Sequence, residues 1–194
     1  MKKVFIVGGT SGFGLSLAKK FHADHEVTVC GRRKISSFNA IVCDMLDIKE
    51  EIFREHKPNI IINNAFDKKD YLKSYQGSLN VLRNAFDYFK NRNKGIIINV
   101  NSISGINPDP KDPDYAAAKY ALKGYSDSIA AESFQRNIRI INLYPRAMAT
   151  GMNVGRQDFN ELIDPNEVAE LVVALTKTQS FYTSSIQFDR IKRS

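Results

Sequence analysis

The sequence predicts an α/β protein built on a doubly wound parallel sheet, carried by one domain over residues 1–194. Three observations predict it. Short apolar runs rich in valine and isoleucine recur without polar alternation, the pattern of strands covered on both faces. Between them lie stretches with apolar residues three and four apart, as helices packed on a sheet require. A glycine-rich turn follows the first run, where such sheets hand a strand over to a helix and bind ligands.

The strands are expected at Lys3–Val7, Glu26–Cys30, Ala40–Cys43, Asn59–Asn63, Gly95–Val100 and Ile138–Tyr144, with a short last one at Ile186–Phe188. Leu15, Leu17, Ala18 and Phe21 form one helical face; Leu79, Leu82, Arg83, Phe86 and Phe89 form a second; Ala118, Leu122, Tyr125 and Ile129 form a third. Asp112-Pro113 marks a helix start, an acid at the cap before a proline suited to the first turn. Asp164-Pro165-Asn166-Glu167 repeats that signal.

An apolar fraction of 43% over 194 residues suffices to bury one continuous core. The net charge of +7 is spread over Lys2-Lys3, Arg32-Arg33-Lys34, Lys68-Lys69, the stretch from Lys90 to Lys94 and the basic end of the chain. That implies a preference for anionic ligands, and with no nucleic-acid motif it argues against nucleic acid as partner. The first apolar run lasts four residues before Gly8-Gly9, too short for a signal peptide, and no run is long enough for a bilayer. Cys30 and Cys43 lie in strand-like stretches and read as reduced core thiols. The expected location is cytoplasmic. His22 and His25 lack further ligands at metal spacing, so no metal is expected.

Val7-Gly8-Gly9-Thr10-Ser11-Gly12-Phe13-Gly14 joins the first strand to the first helix. Glycines let backbone turn tightly against a ligand, and the helix N-terminus offers free N–H groups and a positive dipole end to a pyrophosphate. At the end of the second strand a carboxylate would hold a ribose 2′-hydroxyl. Here Arg32 and Arg33 stand instead, which suits a 2′-phosphate and favours NADP(H) over NAD(H).

Tyr115 and Lys119 lie one helical turn apart on a shared face. A free phenol titrates near about 10. A neighbouring ammonium is expected to bring it toward the working range of an acid–base catalyst. Ser102, 13 residues before Tyr115 and just past a strand, is placed to hydrogen-bond a substrate oxygen.

With these motifs the chain resembles the short-chain dehydrogenase/reductase superfamily, of Rossmann type, over nearly its whole length. Gly8, Gly12 and Gly14, with Thr10, Ser11 and Phe13 between them, resemble its nucleotide-binding loop. Asp44-Met45 resembles its adenine contact, and Asn63-Asn64-Ala65 its Asn-Asn-Ala-Gly signature. Ser102, Tyr115 and Lys119 match its catalytic residues in order and spacing, and Asn80 resembles the fourth, a proton relay through water. Asn142-Leu143-Tyr144-Pro145 resembles the segment that grips the nicotinamide carboxamide, through the backbone of Met148 and the hydroxyl of Thr150. The resemblance implies hydride transfer between NAD(P)H and a carbonyl or alcohol carbon of a small molecule, with Tyr115 as acid/base, in a homodimer or homotetramer.

The chain departs from that pattern at four places. Phe66 replaces the signature's glycine, and Arg146 replaces the glycine usual after Pro145. Asn80 follows Asn64 by only 16 residues. The segment from Thr150 to Asp164, where a substrate lid normally sits, is short and polar. Arg146 has two readings, a contact for an anionic or hydroxyl-rich substrate or a salt bridge. Phe86, Tyr88 and Phe89 likewise either cover the sheet or pack a subunit contact. The alternative to an enzyme is a non-enzymatic dinucleotide sensor or partner-binding protein on the same fold. Retention of both Tyr115 and Lys119 favours the enzyme.

Overall fold

Burial on two faces turns the inner apolar runs into strands, and two half-exposed strands close the sheet edges. In a computed structural model of the protein, which describes residues 1–133, 135–181 and 183–191, they form β1 (Lys2–Val7), β2 (His25–Gly31), β3 (Asn39–Val42), β4 (Ile60–Asn63), β5 (Lys94–Val100), β6 (Asn137–Pro145) and β7 (Ser185–Phe188). All pair in parallel, in the order β3-β2-β1-β4-β5-β6-β7. The side chains of β1 divide the core. Val4 and Ile6 join the layer against α1 (Gly12–Phe21) and α5 (Pro165–Lys177). Phe5 and Val7 join the layer against α2 (Glu50–His56), α3 (Tyr71–Arg92) and α4 (Pro113–Ser133). The expected doubly wound, Rossmann-type single domain is the observed fold.

Each long helix starts where a side chain caps it. Asp70 accepts from the Lys73 N–H at the head of α3, Asp112 from the Tyr115 N–H at α4, and Asp164 from the Asn166 N–H at α5. The short α2 carries no such cap; Glu50 and Glu51 complement its dipole, and it ends where Lys57 turns left-handed at φ 51°. Phe86, Tyr88 and Phe89 are buried in the layer beneath α3, so they cover the sheet and are not a subunit contact.

Cys30 and Cys43 correct the expectation of two thiols. Cys30 lies near the end of β2 and Cys43 just past the adjacent parallel β3; their Cα atoms are 6.3 Å apart, and they form a disulfide.

The sheet order reverses on either side of β1, with β2 on one flank and β4 on the other. The loops at the carboxyl ends of β1, β2, β4, β5 and β6 therefore open on one common cleft, which positions the site.

Candidate active site

The cleft begins at the turn after β1. Gly8 adopts φ 78°, and a Cβ there would lie 2.7 Å from the backbone of Ala65. A Cβ on Gly14 would lie 2.0 Å from the Gly8 carbonyl oxygen, so α1 packs against the turn only without one. The Gly8 and Gly9 N–H groups donate to the Cys30 carbonyl, and Asn64 Nδ2 donates to the Gly8 carbonyl at 3.0 Å. These bonds hold the turn between β2 and β4. Ser11 precedes α1 without capping it through its side chain, which leaves the helix N-terminus open to an anion.

From there the cleft, about 970 Å³ in volume, runs in two directions. Toward β2 and β3 its rim is cationic, with Arg32, Arg33, Lys34 and Lys73. Two of these cations are engaged. Arg32 Nη1 lies 2.8 Å from Asp67 Oδ2, and Lys73 Nζ lies 3.0 Å from Asp44 Oδ2. The Leu46 N–H and Lys73 hold the Asp44 carboxyl below its usual range, and the Lys69 N–H and Arg32 do the same for Asp67. Asp44 thus caps the single turn Met45–Asp47, while Met45 is buried against Gly77 of α3.

Toward β5 and β6 the cleft reaches Ser102, Tyr115 and Lys119. Ser102 follows β5 and is nearly buried, its hydroxyl accepting from the Ser104 N–H at 3.2 Å. Burial pushes the Tyr115 phenol up, a hydrogen bond from Ser102 pulls it down, and Asp112 and Asp109 push it up again. Burial alone brings the Lys119 ammonium down to about 7. This differs from the sequence expectation, in which the ammonium acidifies the phenol. Lys119 Nζ instead lies over the Phe66 ring, 3.9 Å from its centroid, and 5.7 Å from the centroid of the Tyr115 ring. The Tyr71 hydroxyl donates to Asp112 at 2.6 Å, tying the heads of α3 and α4 together beside this centre and raising Tyr71 to about 12.

The lid side is pinned by backbone. Ile163 pairs with the segment around Met148 through the Ala147 carbonyl and the Ala149 N–H, and this carries Thr150 to within 3.6 Å of where a Gly12 Cβ would stand. Lys68 reaches from the loop after β4 to Asn153 at 3.5 Å. Arg156 and Arg190 both bind Asp158, and Arg146 Nε binds Asp189 at 2.5 Å. Of the two readings of Arg146, the structure therefore contains the salt bridge.

Asn80 is a correction. Its amide donates to the carbonyls of Met45, Leu46 and Ile48 and does not line the cleft, so it cannot relay protons there. It anchors the turn after β3 to α3. His25 pairs with Asp24, and among the described residues no cluster of three or more metal-ligating side chains occurs.

An open helix N-terminus behind a glycine turn, a cationic rim, and buried Ser102 and Lys119 beside a half-buried Tyr115 fit a dinucleotide bound along the cleft. A family profile described as short chain dehydrogenase matches residues 69–161, which include Ser102, Tyr115 and Lys119. The chain is similar to short-chain dehydrogenases over that segment and in fold.

The chain is also similar to a 3-ketodihydrosphingosine reductase of Bacteroides thetaiotaomicron, 24% identical over 84% of this chain and 70% of that protein. A closed serine dehydrogenase complexed with NADP+ superposes with a TM-score of 0.81 at 19% identity, over 96% of this chain and 94% of that one. A 4-hydroxyisoleucine dehydrogenase complexed with NADH superposes at 0.78 and 22% identity, over 97% and 96%. These two neighbours carry different nicotinamide cofactors.

Four side chains at this site are not legible in the sequence: Asp67, Tyr71, Lys73 and Asp112 in its role as acceptor for Tyr71. Each acts on a partner distant in sequence, which no local motif announces.

Proposed function

We propose that the protein is an NADP(H)-dependent oxidoreductase that reduces a carbonyl, or oxidises the corresponding alcohol, on a small polar substrate. The observation that carries this reading is the meeting of Ser102, Tyr115 and Lys119 at one end of a cleft whose other end is a cationic rim. A bound nicotinamide supplies or accepts the hydride. The chain's own residues do the rest.

The α1 N-terminus and the loop from Gly8 to Gly14 hold the pyrophosphate. Arg32 and Arg33 take the 2′-phosphate, which distinguishes the two cofactors. Asp44 and Met45 border the adenine. Asn64 and Ala65 border the ribose from the β4 side, and the Met148 backbone and Thr150 hold the carboxamide. Ser102 donates a hydrogen bond to the substrate oxygen, and Tyr115 passes its phenolic proton to that oxygen as the carbon is reduced. A phenol pushed up by burial stays protonated at neutral pH, which suits proton donation and so the reductive direction. Lys119 binds the ribose and sits close to the tyrosine ring.

The polar lid, with Asn153, Arg156 and Gln157, favours a polar substrate. Assembly as a homodimer or homotetramer is part of the proposal. So is a cytoplasmic location, against which the Cys30–Cys43 bond weighs. No helix among the described residues is long and apolar enough to cross a membrane.

The test is to titrate the protein with NADPH and NADH, then screen carbonyl compounds for loss of NADPH absorbance, with Tyr115→Phe as control. Turnover lost in that variant supports the reading. Tight NADPH binding with no turnover on any carbonyl, and no effect of Tyr115→Phe, replaces the enzyme with a dinucleotide sensor.

A further inference from the structure

The family's signature has glycine where this chain has Phe66, and the ring has a definite position. Lys119 Nζ stands 3.9 Å from its centroid. Tyr115 meets the same ring edge-on at 5.4 Å and 83°, and Tyr71 stacks against it at 6.2 Å and 29°. Lys119 itself is buried, and among the described residues its amine enters no ion pair. The groups around it are the Phe66 ring from the loop after β4, the Tyr115 ring from its own helix and Asn101 after β5, whose amide donates to the Lys119 carbonyl. Asp109 and Asp112 act on Tyr115 and not on the amine.

A buried ammonium needs some negative potential in place of the water it has lost. An aromatic face provides it through its quadrupole, most strongly where solvent is excluded. We propose that Phe66 is a positioning residue, whose ring face seats the Lys119 ammonium by cation–π attraction and aims it toward the catalytic centre. The seat is a property of the free protein and does not require the oxidoreductase reading. Its consequence for catalysis rests on that reading.

The seat opposes the burial that brings Lys119 down to about 7. Weakening the ring's negative face without changing its shape therefore lowers that value further. A ring that merely fills space leaves it unmoved.

The experiment uses the full chain without cofactor, labelled with ¹³C and ¹⁵N lysine, the Lys119 resonance being assigned by its loss in Lys119→Arg. Position 66 is then occupied site-specifically by phenylalanine bearing one, two and three fluorines, and in separate variants by Tyr and Leu. The titration midpoint of Lys119 is expected to fall stepwise with each fluorine at unchanged melting temperature. Phe66→Leu should lower it on the order of one pKa unit, and Phe66→Tyr should restore it to the wild-type value. A midpoint indifferent to fluorination overturns the proposal, as does a Leu variant that titrates like the wild type. Should Phe66→Leu fail to fold, the isosteric fluorinated series still decides. Because no cofactor or substrate enters the measurement, failure here is distinct from failure to find an activity.

Discussion

Arg32 reaches from the end of β2 to Asp67 in the loop after β4, and the two side chains meet at 2.8 Å on the rim of the cleft. The arginine that would greet a 2′-phosphate is thus held by a carboxylate, which a ligand must displace or share. Arg33 on the same rim has no such engagement among the described residues.

On the proposed 2′-phosphate role of Arg32, the pair should make NADPH affinity adjustable in both directions. Asp67→Asn removes the competitor and should tighten NADPH several-fold while leaving NADH nearly unchanged. Arg32→Ala should weaken NADPH by roughly 5–10-fold and again spare NADH, the loss expected for an exposed charge-assisted contact. Fluorescence titration of both nucleotides at fixed ionic strength checks this. Equal effects on the two would remove Arg32 from the 2′-phosphate.

Tyr115 sets a pH expectation. Burial leads the causes that raise its phenol, so the proton needed for reduction is retained above neutrality. The rate of carbonyl reduction should stay flat up to at least about pH 9, and alcohol oxidation, which needs the phenolate, should climb over the same range. Tyr115→Phe should lower either rate by about 10²–10⁴-fold with cofactor affinity retained. A reduction rate that collapses below pH 8 would assign the proton to another group.

Burial on both faces made the strands legible. The sequence predicts β6 at Ile138–Tyr144 and it runs Asn137–Pro145, and the inner strands agree as closely because a two-sided apolar run leaves little freedom in its ends. The α2 helix is not legible in the sequence because it has seven residues and one fully buried anchor, Phe53. Ser102, Tyr115 and Lys119 were legible because a strand end and one helical turn suffice to bring them together. Asn80 misled because α3 is 22 residues long, and position along it does not tell which neighbour a given side chain faces. The contacts Arg32–Asp67, Cys30–Cys43 and Lys119–Phe66 depend on which strands and loops become neighbours, and the fold alone reveals them.

Lys119 carries a stability cost with a definite sign. Its amine titrates near 7 in the fold, below its ordinary 10.5, so the unfolded chain binds the extra proton between those values. Stability then rises with pH across that window, and below about 7 the full penalty of a buried ammonium is present. Lys119→Met, similar in length and without charge, should therefore raise the melting temperature at pH 6 and lose that advantage as pH approaches 10. Each kcal/mol relieved is worth roughly 2–4 °C in a chain of this size. Calorimetry at the two pH values checks it. A gain larger at pH 10 than at pH 6 would reverse the argument.

The disulfide joins the same cleft to the redox state of its surroundings. Cys30 gives its carbonyl to the Gly8 and Gly9 N–H groups, and Cys43 immediately precedes Asp44, so the bond ties the glycine turn's support to the turn that Asp44 caps. Reduction by a dithiol returns two thiols and frees a loop whose ends are 13 residues apart. Restricting a loop of that length in the unfolded chain stabilises the fold by about 2–4 kcal/mol. Dithiothreitol should accordingly lower the melting temperature by roughly 5–10 °C and weaken NADPH binding. Cys43→Ser should reproduce both effects and then ignore the reductant. Thiol titration of the unfolded protein before and after reduction supplies the chemical count. Two free thiols in air-oxidised protein, with no response to dithiothreitol, would restore the reading of Cys30 and Cys43 as ordinary thiols.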